Sequence, residues 1–105
     1  LNGALAAVYP ALATGYSAAT FAGSGTAAVE GMLGAFAPDT GGTLVVANGV
    51  YGERMARMLT ALGKPHRVAA HDWLAAPVPA AIAAELDRHP EITHLAVVHH
   101  ETTTG

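Results

Sequence analysis

Gly23-Ser24-Gly25-Thr26-Ala27-Ala28-Val29-Glu30 follows an extended apolar approach, Ala18-Ala19-Thr20-Phe21-Ala22, and opens into Val29, Met32, Leu33 and Phe36. Those four apolar positions recur at i, i+3, i+4 and i+7, so the stretch reads as strand, glycine-rich turn and helix. The first N–H groups of a helix lack intrahelical acceptors and carry partial positive charge, which favours a bound phosphate. Ser24 and Thr26 add two hydroxyls to that set. Serine and threonine also cap helices with no ligand present, and the octet alone does not separate the two readings. It matches neither the dinucleotide pattern GxGxxG nor the phosphate loop GxxxxGK[ST], which disfavours both of those nucleotide-binding folds.

Downstream, Pro38-Asp39-Thr40-Gly41-Gly42 is a dense cluster of turn residues that ends the helix. Thr43-Leu44-Val45-Val46-Ala47 is a continuous β-rich apolar run, as expected of a strand buried on both faces. Asn48-Gly49 turns into a second helix with Met55, Met58, Leu59 and Leu62 on its inner face and Glu53 and Arg57 as an i, i+4 surface pair. Gly63-Lys64-Pro65 ends it, with glycine past the last turn and proline soon after. His66 to Ala70 is a short strand. Val78, Ile82 and Leu86 mark a third helix, entered through Pro77 and Pro79 and stopped at Pro90. Thr93 to His99, centred on Leu95-Ala96-Val97-Val98, reads as a fully buried strand with His100-Glu101-Thr102-Thr103-Thr104-Gly105 as its exit loop. Upstream of the octet, Leu1, Leu5, Val8 and Leu12 share one helical face, bent or ended near Pro10, and Thr14-Gly15-Tyr16-Ser17 is a loop.

The composition suits the interior of something larger. Hydrophobic residues make up 51% of the 105-residue chain and charged ones 12%, whereas a solitary small domain has much surface to cover. The chain begins mid-pattern without an initiator methionine, so a cut from a longer protein is expected. A formal net charge of −3 gives no reason to expect nucleic acid or an anionic membrane as partner. No apolar run approaches the roughly 20 residues that span a bilayer, and the N-terminus lacks the basic start of a signal peptide. With no cysteine there is no disulfide framework, thiolate metal site or cysteine nucleophile, which fits a reducing compartment. Of six histidines only His99 and His100 are adjacent, and neighbours on a strand point to opposite faces, so no metal site is expected. Glu101 beside His100 reads as a solvated or capping carboxylate in preference to an acid–base group.

Alternating strands and helices imply βαβ units and a mostly parallel α/β sheet flanked by helices. Ligands of such sheets bind beyond the carboxyl ends of the strands. Three loops occupy that edge, Gly23 to Thr26, Asn48 to Gly52 and His99 to Gly105.

Taken together, the three loops resemble the class V branch of the fold-type I pyridoxal-phosphate-dependent aminotransferases. Ser24-Gly25-Thr26 is similar to that family's phosphate-cup tripeptide. Asn48-Gly49-Val50-Tyr51-Gly52-Glu53-Arg54 is similar to the segment whose aromatic residue stacks on the cofactor ring. His100-Glu101-Thr102-Thr103-Thr104-Gly105 is similar to the segment that brings a hydroxyl to the cofactor. The resemblance covers about Tyr16 to Gly105 and implies pyridoxal 5′-phosphate as cofactor, with Ser24, Gly25 and Thr26 at its phosphate, Tyr51 on its ring and Thr102 at its phenolic oxygen. It makes residues 1–105 the N-terminal, incomplete part of the cofactor-binding large domain of a cytoplasmic homodimer. The implied reaction moves an amino group from 2-aminoethylphosphonate, or a similar small amine, to pyruvate. Alanine–glyoxylate and serine–pyruvate types are the neighbouring alternatives.

The resemblance places the lysine that holds the cofactor, and the acid that pairs with its pyridine nitrogen, on strands after the last motif. The chain's single lysine, Lys64, lies in a helix-ending turn that matches no catalytic position. It is expected to react with added cofactor only as an exposed amine does. No catalytic residue is therefore assigned, and the 105-residue chain alone is expected to be inactive and unstable as a monomer. Two further readings stay open: a non-catalytic phosphate-binding α/β module, and a purely structural βα unit. The family's sheet order adds that the first strand pairs with none of the others, the last with the second, and the second with the third.

Overall fold

Among the described residues β1 (Thr43–Ala47) lies at the centre of a three-stranded sheet, and all five of its residues are buried. A β-rich run with no polar alternation suits a strand covered on both faces. The computed structural model describes residues 20–104 and, before them, Gly3, Ala4, Ala7 and Gly15. β1 pairs in parallel with β2 (His66–Ala70) on one side and β3 (His94–Val97) on the other, so the order is β2-β1-β3. Val45 stands opposite Val68 and Ala96. The α/β class and the two expected pairings among these strands are what the chain adopts.

Within residues 20–104 three helices accompany the sheet, α1 (Gly25–Phe36), α2 (Val50–Ala61) and α3 (Pro79–Arg88), with α2 packed directly on the strands. Leu33 and Ala37 at the end of α1, Met55 and Leu59 of α2, and Val45 and Ala96 of the sheet form one buried cluster. Gly52 sets how closely α2 approaches β1. A Cβ there would lie 2.9 Å from the Cα of Ala47 and from the carbonyl oxygen of Val46, contacts that real side chains do not make. α2 ends as its sequence implies: Gly63 adopts φ +68°, and the N–H of Lys64 donates to the carbonyl of Leu59 at 2.9 Å. The Lys64 ammonium then donates to the carbonyl of Ala37 at 3.0 Å and to Asp39 Oδ1 at 2.6 Å, tying the end of α1 to the end of α2. Only 14% of that side chain is exposed, so Lys64 is not the free surface amine the sequence suggested.

Several expectations are corrected. Thr20, Phe21 and Ala22 carry no strand, and Phe21 is 75% exposed; no neighbouring strand among the described residues offers them a ladder. Ala18 and Ala19, and the apolar positions Leu1, Leu5, Val8 and Leu12 of the expected first helix, lie outside the described residues. α1 packs chiefly against α2 and buries a narrower face than its periodicity suggests, with Leu33 buried but Met32 and Phe36 exposed. Leu62 follows the last turn of α2 as its C-cap and is exposed rather than inward. β3 is shorter than Thr93 to His99 and only Ala96 on it is buried, because β3 forms an edge of the described sheet. His99 and His100 accordingly fall beyond the strand. No helix among the described residues is long and apolar enough to cross a membrane.

Candidate functional site

The start of α1, one face of α2 and the segment just past β3 surround a cleft of about 420 Å³, within the range of small-ligand sites. Its polar lining comes from Thr26, Tyr51, Arg54, His100 and Thr102, its apolar floor from Val29, Met55, Met58 and Val98, and Gly25 completes the rim. Four of the five residues singled out in the sequence, Gly25, Thr26, Tyr51 and Thr102, thus meet at one cleft. Ser24 stands beside it and not in its lining. Its extended backbone makes it the N-cap of α1, and its Oγ accepts the N–H of Ala27 at 3.1 Å.

Each element delivers its residue for a local reason. A serine cap starts α1 one residue before Gly25, which leaves the first N–H groups of the helix pointing outward beside Thr26. Nothing lies within 4 Å of where a Cβ at Gly25 would sit, so the space there is open. α2 starts at Val50, placing Tyr51 in its first turn and Arg54 one turn further on the same face. Arg54 Nη1 donates to Thr26 Oγ1 at 3.2 Å, and the guanidinium carbon lies 5.0 Å from the centroid of the Tyr51 ring. The sequence had Arg54 only as part of a segment; its i+3 offset from Tyr51 was the signal that could have singled it out.

The loop after β3 is held from beneath. Asn48 Nδ2 donates to the carbonyl of Val98 at 3.0 Å. The Glu101 carboxylate, only 7% exposed as a residue, accepts the N–H of Tyr51 on Oε2 at 3.1 Å. Its Oε1 accepts the Thr103 hydroxyl at 2.6 Å and the Thr103 N–H at 3.2 Å. Of the two sequence readings of Glu101, solvated or capping, the capping one is realised, and on a helix 50 residues away. The Thr103 hydroxyl holds the carboxyl below the ordinary glutamate range; burial opposes it, and the N–H groups of Thr103, Tyr51 and Gly52 add to the lowering. Gly49 makes room: a Cβ there would fall 2.4 Å from Glu101 Cγ. No local pattern in the sequence signals this contact.

The arrangement suits a ligand with an anionic end and a flat apolar body. Donors and positive charge gather at the start of α1, an apolar floor lies alongside, and an aromatic face and a hydroxyl flank it.

No protein-family model matches the chain. Curated relatives do. It is 46% identical over 96 residues to a 2-aminoethylphosphonate–pyruvate transaminase of Aeromonas hydrophila subsp. hydrophila, a match covering 91% of this chain and 25% of that protein. Proteins of the same name from Rhizobium meliloti and Klebsiella pneumoniae subsp. pneumoniae are 44% and 43% identical, over 86% and 89% of this chain and 24% and 25% of theirs. The chain spans about a quarter of the length of the curated relatives it matches.

Proposed function

We propose that the chain is a segment of a 2-aminoethylphosphonate–pyruvate transaminase, a kind of protein of whose length it spans about a quarter, and that it forms the phosphate end of a pyridoxal 5′-phosphate site. The longer enzyme would move an amino group from 2-aminoethylphosphonate to pyruvate. The observation that carries the reading is that Gly25, Thr26, Tyr51 and Thr102, from three separate segments, line one cleft.

The donor set fits the cofactor. A phosphate dianion calls for donors, and the start of α1 offers outward N–H groups, the helix dipole and the Thr26 hydroxyl. Arg54 already donates to Thr26 Oγ1, so the hydroxyl proton of Thr26 is free to be given to a ligand. Ser24 likewise accepts from Ala27 and keeps its own proton to donate. The guanidinium of Arg54 adds a positive charge. The Tyr51 ring offers a flat face to a pyridine ring, and aromatic stacking contributes roughly 0.5–1.5 kcal/mol beyond burial. Thr102 brings a hydroxyl for the phenolic oxygen.

Pyridoxal 5′-phosphate, when bound, supplies the electron sink that amino transfer requires. These residues hold and orient it; the covalent attachment and the proton shuttle belong to a lysine outside this segment. Lys64 does not line the cleft, and its ammonium is engaged by Ala37 and Asp39. The reading carries with it a cytoplasmic homodimer, to be checked by sedimentation of the full-length protein.

The test is an assay of the full-length protein with 2-aminoethylphosphonate and pyruvate. Alanine should appear in proportion to the amine consumed, and the activity should disappear when the cofactor is stripped. Bound cofactor without alanine from any amine would favour a phosphate-binding module. Alanine formed faster from another amine would move the assignment to an alanine–glyoxylate or serine–pyruvate type.

A further inference from the structure

We propose that Glu101 is a positioning residue of the cofactor site, which it serves without touching the ligand. The inference rests on the reading of the cleft as a cofactor site. Glu101 is not part of the cleft lining, yet its sequence neighbour Thr102 and its hydrogen-bond partner Tyr51 both are. One carboxylate oxygen is bonded to the first turn of α2, the other to Thr103 on the far side of Thr102. The stacking ring and the hydroxyl are thereby held as one unit, although 51 positions separate Tyr51 from Thr102. A ligand that needs both at once then binds a site whose spacing is already set.

Three features show that the seat is built for this carboxylate. Gly49, the N-cap residue of α2, offers no side chain to cap that helix, and Glu101 supplies the missing acceptor and a negative charge at the positive end of the helix. Any side chain at Gly49 would occupy the space of the Glu101 Cγ, Cδ and Oε2 atoms. The Tyr51 N–H, the Thr103 N–H and the Thr103 hydroxyl that bond the carboxylate oxygens are all donors. Glutamine in its place must turn its own N–H2 toward one of them and release either Tyr51 or the Thr103 side.

The test uses the full-length protein, stripped of cofactor and titrated with pyridoxal 5′-phosphate well below its unfolding temperature. Glu101→Ala should weaken binding about ten- to a hundredfold, the scale of a lost hydrogen bond to a charged group, with Glu101→Gln between it and wild type. Gly49→Ala should reproduce the loss, since it displaces the carboxylate while leaving Glu101 in the chain. The circular dichroism of the bound cofactor should shrink in all three, because the ring no longer meets Tyr51 in one orientation. A merely structural glutamate would lower the unfolding temperature and leave affinity and dichroism of the folded protein unchanged, and that result overturns the proposal.

A second measurement needs no variant. First-turn amides of a helix have no intrahelical acceptor and exchange freely with solvent. In the cofactor-free wild type the Tyr51 amide should be protected, and Thr103 with it. Fast exchange at both overturns the proposal even if Glu101→Ala does not fold. Thr26→Ala serves as the control for the underlying reading. A wild type that binds no cofactor, or one whose affinity ignores Thr26→Ala, sinks the cofactor site and this inference together. Binding that responds to Thr26→Ala but to neither Glu101 variant sinks this inference alone.

Discussion

Arg54 reaches from α2 to the first turn of α1, where its Nη1 donates to Thr26 Oγ1 at 3.2 Å while its guanidinium lies over the ring of Tyr51. One side chain thus spans the two elements that the phosphate-cup and ring-stacking readings concern. Replacing Arg54 with methionine removes the positive charge beside Thr26 and should weaken cofactor binding in the full-length protein by about 1.5–3 kcal/mol, the scale of one hydrogen bond to a charged group. Lysine should not restore it, because an ammonium lacks the flat fork that bonds Thr26 and covers Tyr51 together. Titration of the stripped enzyme checks both variants, and full rescue by lysine would reduce Arg54 to a simple charge.

Ser24 and Thr26 should separate under mutation, although the tripeptide reading treats them alike. Thr26 lines the cleft, so Thr26→Ala should cost roughly 1.5–3 kcal/mol of cofactor affinity. Ser24 caps α1 through the Ala27 N–H, so Ser24→Ala should cost about 0.5–2 kcal/mol of stability and less affinity than its partner. Urea denaturation of the stripped protein beside cofactor titration gives the two numbers. Equal losses of affinity in both variants would return Ser24 to the cup.

Glu101 gives the protein an acid-sensitive joint. Its carboxyl titrates below the ordinary glutamate range, chiefly because the Thr103 hydroxyl bonds the ionised form. A depressed folded-state pKa contributes stability that is present above the unfolded value, about 4.3 for glutamate, and lost as pH falls through the folded value. The stability gap between wild type and Glu101→Gln should therefore be constant near neutral pH and close as the solution is acidified below that range. Urea midpoints at several pH values test it, and a gap that widens in acid would mean the carboxyl is protonated in its seat.

Gly52→Ala probes the contact between helix and sheet under the site. With no room for a Cβ against Ala47 and Val46, α2 must lift from β1, at a cost of about 1–3 kcal/mol. Unchanged denaturation midpoints would show that α2 rides higher than described.

Lys64→Met should destabilise by more than Asp39→Asn. Asp39 is 87% exposed along its side chain, so the ion pair itself contributes less than about 1 kcal/mol, and the larger share comes from the half-buried bond to the Ala37 carbonyl. Equal effects in the two variants would locate the energy in the pair instead.

Where information was local, the sequence alone sufficed. Thr43 to Ala47 announces a doubly covered strand by its continuous β-rich apolar run, and Gly63-Lys64-Pro65 announces a helix end by the backbone angles those residues permit. Thr26, Tyr51 and Thr102 could be singled out because each sits just past a strand or at a helix start, positions that short patterns reveal. The family resemblance rested on the same three segments, and nine-tenths of the chain bears it out. What a face meets is not local. Met32 and Phe36 share the period of Leu33, and only the placement of α1 against α2 left them exposed. Leu95 and Val97 read as core, yet they lie on an edge strand of the described sheet and stay exposed there. Ser24 caps α1 through its oxygen, and its hydroxyl proton stays available to a ligand, a double use that no local pattern reveals. The bond from the Tyr51 amide to Glu101 joins residues 50 apart, and Arg54 finds Thr26 across 28. No periodicity reports such pairs, because they exist only once the strands have brought separate loops to a common edge.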